Sequence, residues 1–408
     1  MSVSRFATAL LAGLLATAAF AQVPAPKPAP LPAAPSAPAA PMPSAPVPMG
    51  EAWILMDHVS GQVLAGENYD TALNPASITK VMTSYVVAAE MANGKIKPTD
   101  SVRISENAWR SGGAGTDGSY SALAINSEVK LDDVLHGLVI QSGNDAAIAL
   151  AEHVAGSEAA FVDLMNGYAA KLGMTRSHFV NAHGLTAEGH LMSARDIAIL
   201  SRALISQFPE HYALYKIKEF TYGGIQQWNR NGLLWKDASV DGLKTGHTEA
   251  AGYCLAASAK RGDQRLISVV LGIHTQSRSE GFRAREEGNL ALLNWGFRFF
   301  ETHSVYAAGK QVAEQKVWRG EAETVALGVA RPLLVTLPRG RYADLKPSMD
   351  VPKQLVAPIK KGQKIGTVRL TLDGKVVAQR PLVALADVAE GGFFKRMNDD
   401  FWLWWETE

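Results

Sequence analysis

The hydrophobic period of the chain changes once, near His303, and that change limits the fold more than any other feature. Before it, strand-like apolar runs bracket segments of helical period; after it, only short strand-like runs alternate with turns. AWILMD from Ala52 and QVLAG after Gly61 read as two strands, and Pro75 then opens a helix. Ile78, Val81, Met82, Tyr85 and Val86 give that helix one apolar stripe, and Asn93-Gly94 closes it. A second helix is predicted from about Leu131 to Val154, interrupted at Ser142-Gly143-Asn144, and a third from about Glu158 to Leu172. Strands at Gly252–Ala259 and Leu266–Gly272 precede a long helix through Leu290, Leu293, Trp295 and Phe299. Strands at both ends with helices between them predict an α/β (α+β) layer with a largely antiparallel sheet over 51–304. Beyond it, TVALGV, PLLVTL, QLVAPI, TVRLTL and KVVAQ predict a small all-β sandwich over 305–390, with Asp373-Gly374 as a two-residue hairpin turn.

The ends of the chain follow other rules. Arg5, an apolar run from Phe6 to Ala19 and the small-x-small exit Ala19-Phe20-Ala21 have the form of a secretory signal peptide over 1–21. Residues 22–50 form a Pro/Ala-rich linker, with eleven of the 20 prolines between Val23 and Pro48. Proline lacks the amide donor and fixes φ, so neither helix nor ladder is expected there. The segment is either a semi-rigid spacer or a tail with no task. In 391–408, Phe393, Phe394, Met397, Phe401, Trp404 and Trp405 fall on one helical face with Lys395, Asp399 and Glu406 opposite, as in an interfacial amphipathic helix.

Composition removes several function classes. Forty Lys and Arg against 39 Asp and Glu leave no basic excess for nucleic acid. A single cysteine forms no internal disulfide, and Cys254 within GYCLAAS reads as a small buried hydrophobe. The ten histidines show no ligand spacing and there is no H-E-x-x-H, so no metal site and no cofactor are expected.

Three short motifs carry chemistry, in one order: Ser77-Ile78-Thr79-Lys80, Ser142-Gly143-Asn144 and Lys244-Thr245-Gly246. Each is weak alone; together they match the set used by serine acyl enzymes of the penicillin-binding type. Ser77 and Lys80, three apart at a helix start, project from one face. A serine hydroxyl needs an adjacent base, and lysine serves only if burial or a neighbouring cation depresses its pKa; Lys244 is a candidate cation. Gly246 is expected to leave a strand edge open to an extended peptide. Ser142 offers a hydroxyl for proton relay and Asn144 an amide for substrate backbone. Arg230 and Asn231 in NRNGLLW and Arg285 in RARE are candidates for a carboxylate site, which wants a guanidinium.

With these motifs, the stretches ASITKVMTSYVV, IQSGNDAAIALAEHVAGS, LMNGYAAKLGM, NRNGLLW, VDGLKTGHTEAAGY, RLISVVLG, NWGFRFFET and EGGFF resemble the low-molecular-mass penicillin-binding proteins of the D-alanyl-D-alanine carboxypeptidase group, from about Glu51 to Phe394. The resemblance implies a penicillin-binding/β-lactamase-like catalytic domain followed by a β domain and a C-terminal amphipathic helix. It implies Ser77 as nucleophile, Lys80 as its base, and Ser142 passing a proton to the leaving D-alanine beside Lys244. It also implies that Asn144 positions substrate, that the Ser77 and His247 N–H groups form the oxyanion hole, and that Thr245, Arg285 and Arg230 hold the terminal carboxylate. The implied substrate is a peptidoglycan stem pentapeptide, and β-lactams would acylate the same serine. The implied place is the periplasm, attached peripherally to the inner membrane. In this chain Ile273–Phe282 is longer than is common, so either Arg283 or Arg285 faces the site. The Gly-rich stretch Ser111–Tyr120 is a mobile or a plain surface loop near the cleft rim, and His183 reads as structural.

Two other enzyme classes use related motifs. A serine β-lactamase usually deacylates with a glutamate in E-x-x-x-N, and none of Glu152, Glu158, Glu188, Glu210 and Glu219 has Asn four residues on. A D,D-endopeptidase of the same fold stays open, though the β domain and tail favour a carboxypeptidase. A non-catalytic wall-binding protein would be expected to lose Ser77, Lys80 or Lys244, and all three are present.

Overall fold

The computed structural model describes residues 27–32, 41–113, 115–116 and 118–407, so the expected signal peptide lies outside the described residues. Two compact units emerge: one comprises Pro32–Val305 with Leu334–Leu345, the other Met1–Leu31, Tyr306–Leu333 and Lys346–Glu408.

The first unit is built on five strands: β1 (Ala52–Asp57), β2 (Val63–Glu67), β3 (Val240–Thr248), β4 (Gly252–Arg261) and β5 (Gln264–Ile273). They pair antiparallel in the order β2-β1-β5-β4-β3, which makes β3 an edge strand. Every residue of β1 is buried because helices cover both faces of the sheet. Ile54 and Met56 join Val81, Met82, Val86 and Ile148 on one side, a core that includes α1 (Lys80–Ala92), α2 (Asn144–Ala155), α3 (Glu158–Leu172) and α4 (Ala194–Gln207). Trp53 and Leu55 meet Leu292, Leu293 and Trp295 of α5 (Arg278–Phe299) on the other. Cys254 is fully buried in β4. The break expected between Leu131 and Val154 is real: α-helix Leu131–His136, a π turn Gly137–Gln141, then Ser142 in the left-handed region before α2 begins.

In the second unit, β6 (Gln311–Lys316), β7 (Thr324–Val329), β8 (Lys346–Asp350), β9 (Lys364–Leu372) and β10 (Lys375–Ala384) form an antiparallel sheet in the order β6-β7-β10-β9-β8. Asp373 and Gly374 both take positive φ and turn β9 into β10, as the sequence predicts. QLVAPI is not a ladder strand. Val356 and Ile359 make only isolated bridges, and Pro352 and Pro358 have no N–H for a continuous ladder. The strand instead lies at Lys346–Asp350, where Pro347 is tolerated because β8 is an edge.

The described part of the Pro/Ala-rich segment is not free. Ala29 N–H donates to Val312 O (2.7 Å) and Ala29 O accepts from Tyr306 (2.8 Å). Trp295 Nε1 donates to Pro43 O (3.1 Å), and Ala45 packs beside the α5 core.

The C-terminal helix α6 (Phe393–Thr407) makes polar contacts to its own unit through Asp399 and Asp400. Asp399, 3% exposed, accepts from Arg319 N–H (2.6 Å) and from Lys395 Nζ (3.2 Å); Asp400 pairs with the Arg319 guanidinium. The opposite face, Phe393, Phe394, Met397, Phe401, Trp404 and Trp405, stays exposed, Phe394 by 79%. Removing a buried carboxylate that pairs with an N–H and a cation costs about 1–3 kcal/mol. Asp399→Ala is therefore expected to speed amide exchange and proteolysis in 393–407 by about tenfold or more without altering penicillin labelling; unchanged protection would show that Asp399 does not dock the helix.

Candidate active site

Ser77 sits in one 3-10 turn, Ala76–Thr79, that leads directly into α1, so Lys80 is the first α-helical residue. The residue before the nucleophile, Ala76, has φ +48°, a left-handed conformation that costs a non-glycine residue about 1–3 kcal/mol. Surrounding structure holds it there. Thr79 Oγ1 donates to Ala76 O (2.9 Å), and two glycines from distant segments press on the same backbone. A Cβ on Gly184, whose φ is +89°, would lie 2.0 Å from Ala76 O; a Cβ on Gly246 would lie 2.8 Å from Pro75 O. The bare face of Gly246 also lets β3 close on the nucleophile turn.

Lys80 is 1% exposed and makes three contacts. Nζ donates to Asn144 Oδ1 (2.6 Å) and His183 O (2.7 Å), and lies 3.0 Å from Ser77 Oγ. Burial pushes its pKa down to about 7, partly opposed by Asp145. Once neutral, the amine spends both N–H groups on the two carbonyl oxygens, leaving its lone pair for the Ser77 hydroxyl. His183 thus contributes its backbone carbonyl. Its ring, 3.5 Å from Glu158, is kept neutral by burial and then by the Lys80 charge, which lower its pKa to about 3.

The second motif meets the third. Lys244 Nζ donates to Ser142 Oγ (2.8 Å) and Thr245 O (3.0 Å), and burial, then Lys80, Arg230 and Arg285, hold its pKa well below the usual lysine value. Ser142 reaches this position because its φ of +66° ends the π turn. Asn144 spends Oδ1 on Lys80, while its Nδ2 is buried without an acceptor. The loop read as mobile or superficial closes over this amide: Ser119 O accepts from Asn144 N (2.7 Å), and a Cβ on Gly118 would lie 2.0 Å from Asn144 Nδ2.

Asp145 was missed in the sequence. Its buried carboxylate accepts from Ser121 N (2.8 Å), Leu123 N (3.2 Å) and Ala146 N (2.9 Å), tying the loop to the start of α2. The available signal was an acid directly after S-G-N in an otherwise apolar helix, NDAAIALA. Desolvation raises its pKa against those N–H bonds.

Of the two candidate arginines on α5, Arg285 is 5% exposed and Arg283 is exposed. Arg285 donates to Arg230 O (3.4 Å), stands over the Phe282 ring (4.7 Å) and keeps Nε buried without a partner. Burial lowers its pKa to about 10, still leaving a cation at neutral pH. Asn231 is buried, and its Oδ1 accepts from Leu233 N (3.2 Å), which fixes the turn after Arg230. His247 stacks on Tyr253 (4.1 Å between centroids) and is held below its ordinary pKa by desolvation, then by Arg285 and Arg278. Arg278 is a further cation at this rim that the sequence reading did not single out.

A serine facing a desolvated lysine amine, beside a second Ser–Lys pair whose lysine lies on an edge strand, defines a serine acyl-transfer enzyme with lysine in the base position. The chain belongs to the D-alanyl-D-alanine carboxypeptidase family (Peptidase_S11), which matches residues 40–275; residues 300–390 match the penicillin-binding protein 5 C-terminal domain. It is 50% identical to the D-alanyl-D-alanine carboxypeptidase DacC of Escherichia coli strain K12 over 85% of this chain and 86% of that one. DacA of the same strain is 46% identical over 88% of each. The crystal structure of penicillin binding protein 5 from Haemophilus influenzae superposes with a TM-score of 0.80 at 42% identity, covering 85% of this chain and 99% of that one. Penicillin-binding protein D2 from Listeria monocytogenes, solved in a cefotaxime-bound form, covers 62% of this chain and 100% of its own, with a TM-score of 0.55 and 29% identity. The protein is a serine-type D-alanyl-D-alanine carboxypeptidase of the penicillin-binding class.

Adding one methyl at the β3 contact should displace the nucleophile turn. Gly246→Ala is expected to slow acylation by a fluorescent penicillin about tenfold or more, because small misplacements at a reacting centre are amplified. Acylation within twofold of wild type would show that the close approach is not needed.

Proposed function

We propose that the enzyme removes the terminal D-alanine from peptidoglycan stem pentapeptides through an acyl-enzyme on Ser77. The observation that carries this reading is Lys80 Nζ, 3.0 Å from Ser77 Oγ with its pKa lowered to about 7. Neutral Lys80 takes the hydroxyl proton as Oγ attacks the carbonyl between the two D-alanines. Backbone N–H groups of Ser77 and His247 receive the oxyanion, a contribution of about 3 kcal/mol in comparable acyl enzymes. Ser142, held by Lys244, gives its proton to the leaving amine and regains one from protonated Lys80, which restores the neutral base. D-alanine departs, and water then cleaves the ester and frees Ser77.

Substrate grip comes from groups left unsatisfied. Asn144 would position substrate backbone, and the orphaned Arg285 Nε suits the terminal carboxylate, which Thr245 and Arg230 would also hold. A β-lactam presents a similar acyl group and would acylate Ser77. The cefotaxime-bound form of the Listeria relative supports that reading.

On organisation, residues 1–21 act as an export signal and 22–50 as a linker; 51–304 form the catalytic domain, 305–390 the β domain and 391–408 the membrane-associating helix. The exposed aromatic face of α6 would lie on the outer face of the inner membrane. Among the described residues no helix is long and apolar enough to cross a membrane. With two basic and four acidic side chains in 391–408, attachment would rest on apolar area and be peripheral.

The test is to incubate purified protein with a stem pentapeptide and with a cross-linked dimer and to measure free D-alanine from the first against cleavage of the second. Release from the pentapeptide, abolished with penicillin labelling in Ser77→Ala, is the expected result. Cleavage of the dimer alone would make the enzyme an endopeptidase, and label surviving in Ser77→Ala would remove Ser77 as nucleophile.

A further inference from the structure

His190 lies far along the chain from all three motifs, yet it is 1% exposed and hydrogen-bonded to the nucleophile turn. Val180 N–H donates to His190 Nδ1 (3.0 Å), so that nitrogen carries the lone pair and the ring proton sits on Nε2. Nε2 stands 2.8 Å from Thr79 Oγ1, itself fully buried, and donates to it. The Thr79 hydroxyl is then left one use for its own proton, the bond to Ala76 O at 2.9 Å. The result is a directed chain: Val180 N–H to His190, His190 N–H to Thr79, Thr79 O–H to Ala76 C=O. Burial, then His178 and Lys80, lower the His190 pKa to about 4, which keeps this neutral tautomer in place at neutral pH.

The last acceptor matters because a trans peptide unit is planar, with C=O and N–H pointing opposite ways. Ala76 O and Ser77 N–H belong to one such unit. Fixing the carbonyl inward on Thr79 therefore fixes the Ser77 N–H outward. Ala76 is also the residue held at φ +48°, a conformation with a standing tendency to relax.

We propose that His190 is a positioning residue for the oxyanion hole: through Thr79 it locks the Ala76–Ser77 peptide plane and aims the Ser77 N–H at the reacting carbonyl. It touches neither substrate nor nucleophile. The inference rests on Ser77 being the acylated serine. Failure of that assignment shows as label retained in Ser77→Ala, whereas failure of this one leaves Ser77→Ala inert and the His190 variants fast.

The test is saturation kinetics of acylation by a fluorescent penicillin on the full chain, with melting temperature followed in parallel. His190→Ala should lower the maximal acylation rate about 10–100-fold while the half-saturating concentration stays within about twofold, since alignment of a donor and not binding is lost. His190→Gln, whose amide can accept from Val180 and donate to Thr79, should recover most of the rate. Thr79→Val should be slowed like His190→Ala, and the double variant should be no slower than either. Should His190→Ala fail to fold, His190→Gln and Thr79→Val decide: wild-type rates in Thr79→Val overturn the relay. A rate within twofold of wild type in His190→Ala, or a well-folded His190→Gln as slow as His190→Ala, also overturns it.

Discussion

Burial of one lysine amine is the constraint on which the active site depends. A solvated lysine is protonated at neutral pH and has no lone pair for a serine hydroxyl. Lys80 escapes this because the start of α1 is enclosed by α2, by the His183–Gly184 loop and by β3, leaving it 1% exposed. The two carbonyl acceptors, Asn144 Oδ1 and His183 O, satisfy its N–H groups, so neutrality does not leave orphaned donors. Asp145 pulls the other way, raising the Lys80 pKa, which keeps it near neutrality instead of far below it. A general base with a pKa close to working pH is the most effective kind.

The rest of the catalytic unit reads as what that enclosure requires. The turn carrying Ser77 is packed against β3 through Gly246 and against the 181–185 loop through Gly184, so no side chain keeps those backbones apart. Ala76 absorbs the resulting backbone strain. Arg285 stays a cation and, with Arg230, helps hold the Lys244 pKa down; the substrate carboxylate would bring the compensating negative charge. The β domain and α6 follow different physics. Asp399 secures the polar side of the helix while its aromatic side stays in the open, an arrangement suited to an apolar surface and not to a protein core.

Much of this was legible in the sequence, because the signals were local or chemically rare. The change of period at His303, the positive-φ turn at Asp373-Gly374 and the amphipathic 393–405 stripe each depend on neighbours in the chain. The Ser77, Lys80, Ser142, Asn144 and Lys244 motifs depend on residue types in a fixed order. What was hidden depends on residues meeting from far apart. Nothing near Gly246 says that its missing side chain faces Pro75 O, and nothing near His190 says that its ring reaches Thr79, 111 residues away. Asp145 looks like one more helix acid until its carboxylate is seen holding Ser121 and Leu123. QLVAPI misled for the opposite reason: its apolar residues fit a strand, but the prolines around it remove ladder donors, and the less apolar KPSMD forms the edge instead.

The central claim is that burial lowers the Lys80 pKa to about 7, so that the neutral amine is well populated at working pH, and nuclear magnetic resonance reads this directly. In protein labelled at lysine Cε, the Lys80 signal, assigned by its loss in Lys80→Met, should titrate with a midpoint near 7, where burial places it. The charged form then dominates below that pH, and the base-competent form above it. A Lys80 midpoint at or above about 10, the range of a solvated lysine, would contradict the account.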